Sequence, residues 1–165
     1  MKLPFSFSSF RALPPSVSRP VCALLAGAAC LLLPAGRLRA ATETDGQVTA
    51  REVALELAGA FSNDGYKIRD GHWAGILQPS KPQVLTVNLF AGNQYFFSLG
   101  ATDKAKKVAV VVFDENGKPV PEEQYHQEAV RAAAGVSAIA SGPYYVSVTL
   151  LEGEPADFCL LYSYK

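Results

Sequence analysis

The sequence predicts a mainly β protein: an antiparallel, jelly-roll-like β-sandwich of seven to eight strands with one N-terminal amphipathic helix, preceded by a signal peptide. Two observations predict the sandwich. After Gly65, short apolar runs alternate with polar residues, and turn signals recur about every 8–12 residues. A third observation, a single helical pattern before Gly65, predicts the N-terminal helix. The chain therefore divides into a signal peptide (1–40), a polar leader with the helix (41–65) and the sandwich (66–165).

The N-terminal segment has the order of an export signal. A basic lead precedes an apolar run at 21–33, which is shorter than the roughly 20 residues that a membrane-spanning helix needs. Pro34 and Gly36 interrupt the run, and we place the cleavage after Ala40 or Ala41. A retained membrane anchor, a buried helix and lipidation at Cys30 are the alternatives. Export predicts a periplasmic or extracellular protein without a membrane span after cleavage.

The charge is unevenly distributed along the chain. Residues 1–42 hold five basic residues and no acid, whereas the remainder holds ten basic and fifteen acidic residues, a net charge of −5. A negative domain without basic clusters argues against nucleic-acid binding.

The helical pattern lies between the leader and the strands. Thr49 and Glu52 match a capping box, which places the start of the helix at Thr49. Residues at helical spacing then form one apolar face, which we predict as Val53, Leu57, Ala60 and Phe61. The run at 62–65 ends the helix, and Gly65 suits a left-handed C-cap.

The strands follow in order, separated by turn residues. Turns are predicted at 69–71, 91–93, 115–117, 141–143 and 152–155, and the prolines at 119 and 121 make that stretch irregular or an edge. The predicted strands are 66–68, 73–77, 84–90, 95–99, 107–113, 136–140, 144–150 and 157–165.

The pattern around the aromatic run at 95–97 predicts which side chains of this strand face the core. Alternation places Tyr95, Phe97 and Leu99 in the core, with Gln94 and Ser98 facing out. Phe96 points with the polar set, so it is either covered by the helix or partly exposed. A sheet face around Phe96 and Val111 is the predicted support for the helix.

Signal cleavage removes Cys22 and Cys30 and leaves Cys159. A lone cysteine cannot close an intramolecular disulfide, so the core must supply the stability. The apolar run around Cys159 indicates a buried, unreactive thiol.

Three motifs carry a family resemblance over residues 82–165. They are Ala91-Gly92 with Tyr95 three residues later, the turn at Asp114, Asn116 and Gly117, and the strand Gly142-Pro143-Tyr144-Tyr145-Val146. Together they resemble the bacterial pre-peptidase C-terminal (PPC) domain. The resemblance implies a jelly-roll-like sandwich, appended to secreted peptidases or found alone in exported proteins. Relatives that bind calcium use acids before the Ala-Gly turn, and this chain has none there, so the resemblance leaves open whether calcium is bound.

The histidines and acids form no recognisable catalytic or metal motif. His72 and His126 lack Cys or His partners at zinc-ligand spacing, and no Gly-x-Ser-x-Gly elbow is present. The turn after Asp114 lacks the later residues of an EF-hand, so a hairpin is the better interpretation. We predict no catalytic residue, no metal and no cofactor.

The candidate binding residues are His72 and Trp73. Trp73 is the single tryptophan and follows a turn, where its ring either stacks on a sugar or peptide or joins the core. The predicted function is an exported, non-catalytic binding or structural module with a carbohydrate or protein partner of the cell envelope. The alternative is a small secreted hydrolase or peptidase-associated inhibitor. A binding module needs an exposed aromatic patch, and an enzyme needs a pocket with a histidine, an acid and a nucleophile.

Overall fold

A computed structural model describes residues 42–165, so the predicted signal peptide, Cys22 and Cys30 lie outside the described residues. One α-helix and nine strands form this part of the chain, and a one-turn 3-10 helix at Ser62–Asp64 follows α1. Their bounds are α1 Asp45–Ala60, β1 Lys67–Ile68, β2 Trp73–Leu77, β3 Gln83–Leu89, β4 Gln94–Ala101, β5 Ala105–Phe113, β6 Gln124–Gln127, β7 Arg131–Ser137, β8 Gly142–Gly153 and β9 Ala156–Tyr164. No helix within 42–165 is long and apolar enough to cross a membrane.

The strands form two antiparallel sheets, as the sequence predicts. One has six strands in the order β1-β9-β4-β7-β6, with β2 also paired to β9; the other has three in the order β3-β8-β5. The pairs β2·β9, β3·β8 and β4·β7 are nested in sequence, each lying inside the one before. A long β-ribbon folded over on itself produces these pairs, which is the arrangement of a jelly roll.

The main core lies between the two sheets. Tyr95, Phe97 and Leu99 of β4 are almost completely buried there, which confirms the face predicted for them. They face Val146 and Val148 of β8 across the sandwich, together with alternate valines of β5. Burial of the large aromatic and branched side chains supplies most of the stabilising free energy.

The helix starts earlier than predicted. Its capping box is formed by Thr44 and Gln47: the Thr44 hydroxyl accepts from the Gln47 amide at 3.1 Å, and the Gln47 side chain accepts from the Thr44 amide at 3.1 Å. The predicted cap, Thr49, lies inside the helix and donates its hydroxyl to the Asp45 carbonyl. Both threonines fit the same local pattern, so the pattern did not decide between them. Gly65 adopts the left-handed conformation expected of it.

The helix packs on the outer face of the six-stranded sheet. Its buried residues are Ala50, Ala54, Leu57 and Ala58, whereas the predicted face member Ala60 is exposed. Phe96 is buried under Phe61, with ring centroids 3.9 Å apart, so the helix covers it. Val111, the other predicted support, lies on β5 in the opposite sheet.

Ser98 shows where alternation misled the prediction. It faces away from the main core as predicted, but α1 covers that face and Ser98 is 0% exposed. Its hydroxyl has no hydrogen-bond partner within the described chain. We call this surface the covered face: the outer face of β4, β7 and β9 under α1, formed by Phe96, Ser98, Gly100, Ala133, Gly135, Cys159, Leu161 and Ser163.

Within residues 42–165, no helix lies over the outer face of the three-stranded sheet. Thr86, Tyr145 and Phe113 lie side by side in one row, and Val84, Ser147 and Val111 form the next. Val84 is 60% exposed, and the aromatic members of these rows are half-buried. We call these six residues the open face.

Candidate binding groove

The two predicted binding residues lie at the start of β2, on the edge of the six-stranded sheet. Trp73 pairs with Leu160 of β9 and packs against the main core. Its indole stacks on the ring of Tyr162, with centroids 6.0 Å apart and planes 20° apart. Trp73 is half-buried, so it belongs to the core and also reaches the surface.

His72 is held by a residue that lies before the helix. Its Nε2 forms a short contact with the Glu43 carboxylate, and the Arg51 guanidinium lies 3.3 Å from the same carboxylate. The His72 and Glu43 side chains are each 28% exposed. Helix docking therefore fixes the imidazole, because α1 carries Arg51 and directly follows Glu43.

A groove of about 330 Å³ opens beside these residues. One wall is the β1–β2 connection and the start of β2, and the other wall is the second half of β3. Nine residues line the groove: Arg69, Asp70, Gly71, His72, Trp73, Thr86, Val87, Asn88 and Tyr162. Gly71 has a left-handed backbone (φ 92°) and forms the turn of the β1–β2 connection, which is the first wall.

The groove combines an aromatic surface with polar groups of several kinds. The Arg69 guanidinium lies 5.7 Å from the centre of the Tyr162 ring, which is cation–π distance. Burial raises the pKa of Tyr162, and Arg69 opposes that rise, so the phenol stays protonated at neutral pH. Asp70 contributes a carboxylate, Asn88 an amide and Thr86 a hydroxyl. Such a site can bind through stacking and hydrogen bonds.

The predicted pair lines a groove together with residues that the sequence did not single out. Arg69 and Asp70 precede His72 in the chain, and the predicted turn around Gly71 could have added them to the candidate residues. Thr86, Asn88 and Tyr162 join the site only because the jelly-roll pairing brings β3 and β9 next to the β1–β2 connection.

A second cavity, of about 370 Å³, lies at the end of the sandwich. Its walls are the β5–β6 and β7–β8 connections. The Asp114 carboxylate accepts hydrogen bonds from the amides of Asn116 and Lys118 at 2.9 and 2.8 Å, which closes the hairpin turn that the sequence predicts. Ser137, Ser141, Asp114 and Glu115 line this cavity, but neither histidine does.

Neither cavity brings together a histidine, an acid and a serine or cysteine. The groove has His72 and Asp70 but no such nucleophile, and His126 lies on β6, 3.5 Å from Glu128. Within 42–165, no three His, Cys, Asp or Glu side chains form a group that could hold a metal ion.

Cys159 lies under the helix rather than in a cavity. It is 0% exposed and packs with Ala50, Ala54, Ala58 and Leu161. Burial raises the pKa of the thiol to about 11, with a further rise from the Glu43 carboxylate and an opposing effect of Arg51. A protonated, enclosed thiol is a poor nucleophile, as the sequence predicts.

Comparison of the chain with models of known protein families and with curated proteins finds no match.

Proposed function

We propose that this protein is an exported, non-catalytic binding module of the periplasm or the extracellular space. The observation that carries the proposal is the groove, where an indole and a tyrosine stand among a guanidinium, a carboxylate, an amide and a hydroxyl. Concave sites with an aromatic surface and a few convergent polar groups are the usual form of ligand sites.

Export is supported by the order of the first 41 residues. A basic lead, a signal-length apolar run and small residues near the expected cleavage site follow one another there. The resemblance to PPC domains supports the same compartment. N-terminal sequencing of protein recovered from the envelope of an expressing bacterium should give Ala41 or Thr42 as the first residue. An intact Met1 contradicts export with cleavage.

The proposal of a non-catalytic module is supported by the side chains that line the two cavities. A small hydrolase needs a nucleophile within hydrogen-bond reach of a base. The groove offers His72 without a serine or cysteine, and the second cavity offers serines without a histidine. The hydrolase alternative therefore has no supporting group of residues in either of these two cavities, and no specific observation favours an inhibitor.

The test is capture of envelope components by protein produced from the full-length chain. We expect wild-type protein to retain material that Trp73→Ala and Asn88→Ala lose. Tyr125→Ala is the matched control, because Tyr125 is 50% exposed and lies on β6, at the far edge of the sheet from β2. Thermal melts check that the variants are folded, since Trp73 also packs on the core while Asn88 is exposed. Equal capture by all four proteins would overturn the groove as the site.

A further inference from the structure

The free edge of β3 forms part of the groove. β3 pairs with β8 on one side, and no strand of residues 42–165 pairs with its other side. Val87 and its neighbours Thr86 and Asn88 are the part of this edge that lines the groove.

A proline on β8 identifies which residues of β3 hydrogen-bond to β8. Asn88 lies opposite Pro143 of β8, and Pro143 has no N–H to donate. In an antiparallel pair, hydrogen-bonded and non-hydrogen-bonded positions alternate. Asn88 is thus at a non-hydrogen-bonded position, and so are Thr86 and Val84. Their N–H and C=O groups point away from β8.

These outward groups have no hydrogen-bond partner among residues 42–165. The opposite edge of the same sheet differs. On β5, the Val112 carbonyl accepts from the Val120 amide at 2.8 Å, and the Val108 carbonyl accepts from the Gln127 side chain at 2.8 Å. Proteins usually protect an edge strand with charge, proline or a bulge, but β3 has neither a charged residue nor a proline and pairs with β8 in continuous register.

We propose that an extended peptide segment of another envelope protein binds here by adding to β3 as a further strand. Val84, Thr86 and Asn88 would hydrogen-bond to the peptide backbone, and alternate peptide side chains would enter the groove beside Trp73. This proposal rests on the proposed function and names its partner class.

The repeat of the outward backbone groups and the small size of the groove favour an extended peptide. Outward groups recur at every second residue, about 7 Å apart, which is the repeat of an extended backbone. A second folded copy would need about 20–30 residues on each side for a stable interface, whereas nine line the groove. A sugar would use the indole and the polar side chains but not the β3 backbone.

The experiment compares two substitutions of one residue. Peptides are selected from a random displayed library on wild-type protein and then synthesised, and their affinities are measured. Thr86→Pro removes an N–H that faces away from β8, so the β3–β8 hydrogen bonds remain; Thr86→Ala keeps the N–H and removes only the side chain. We expect Thr86→Pro to weaken binding roughly tenfold or more relative to Thr86→Ala, which loses only the contribution of the hydroxyl.

A second measurement tests the peptide side, so that the outcome does not depend on the fold of the proline variant. N-methylation of every second peptide amide should abolish binding when the methylated amides face β3. It should spare binding when the methylated amides are the ones that face away from β3. Equal effects of the two methylation patterns, or failure to select any peptide, would overturn strand addition. If Trp73→Ala still loses envelope material while the strand-addition tests fail, the proposed function stands and the ligand is a carbohydrate or another class. If capture is unaffected as well, the proposed function is wrong.

Discussion

The covered face and the open face are the two outer surfaces of one sandwich, and they differ in the size of their side chains. Beside the larger Phe96 and Leu161, the covered face contains Gly100, Ser98 and Ala133, and its helix also contributes alanines. Beside Thr86 and Ser147, the open face contains Val84, Val111, Phe113 and Tyr145, and no helix of residues 42–165 lies on it. Small side chains allow a helix backbone to approach the sheet closely, and larger ones hold it away.

Alternation along a strand gives the direction of a side chain but not its exposure. Ser98 and Thr86 both point away from the main core. Ser98 is completely buried because a helix covers it, while Thr86 is exposed. The local signal of the covered face is Gly100, because a glycine within a strand marks the close approach of another backbone, here that of α1.

The largest expected effect comes from aromatic residues of β4. Phe96→Ala and Phe97→Ala should each lower the free energy of unfolding by about 3–5 kcal/mol, although they lie on opposite faces, because both rings are buried. On the open face, Val84→Ala should cost less than about 1 kcal/mol. Denaturant unfolding measures all three. A small loss for Phe96→Ala would mean that the helix does not cover that face in solution.

Gly100→Ala should have the next largest effect. A Cβ at Gly100 would lie 2.3 Å from the Ala50 carbonyl oxygen and 2.6 Å from the Ala54 nitrogen, so the helix backbone must shift. We expect a loss of about 1–3 kcal/mol. Gly59→Ala is the control, because nothing lies within 4 Å of its Cβ; it should raise stability by about 0.5–1 kcal/mol. A harmless Gly100→Ala would show that α1 packs more loosely than described.

Cys159 makes the covered face sensitive to alkaline pH. Folding raises the pKa of the thiol to about 11, so the folded state holds the proton more tightly than the unfolded chain. The resulting stabilisation is complete below the unfolded pKa of about 8.5 and is lost as the pH rises toward about 11. Denaturant midpoints should fall over this range more in wild type than in Cys159→Ser. An identical fall in both proteins would exclude the thiol as the cause.

Ser98→Ala should have the smallest effect, for a reason opposite to the one that the sequence offered. The sequence predicts a small effect because Ser98 faces water. The structure instead buries a hydroxyl without a partner, whose removal relieves an uncompensated desolvation cost. Stability should stay within about 0.5 kcal/mol of wild type or rise, as a thermal melt can measure. A loss above about 1 kcal/mol would mean that the hydroxyl has a partner under the helix.

Much of the fold could be predicted because local chemistry and tertiary structure agree. The hairpin turn at Gly117 and the alternation of β3 and β4 are examples. The start of the helix was wrong because Thr44 and Thr49 offer equivalent caps. β7 extends back to Arg131 through a run of alanines. Alanine has low strand propensity, and the pairing of β7 with β4 and β6 overrides it.

The groove was only partly predictable for a different reason. His72 and Trp73 stand out in the chain because a lone tryptophan follows a turn. Glu43, Thr86 and Tyr162 have no such local mark. The pairing of β2 with β9 and the stacking of the two sheets bring Tyr162 and Thr86 to Trp73, and the docked helix segment brings Glu43 to His72.

The position of β9 has a consequence for how the chain acquires its structure. β9 lies in the interior of the six-stranded sheet, between β4 and the edge formed by β1 and β2. Trp73 pairs with Leu160, so β1 and β2 have no strand partner until residues 156–164 have been synthesised. Pairings so distant in sequence close slowly. A nascent chain therefore cannot complete its larger sheet until its last strand is made.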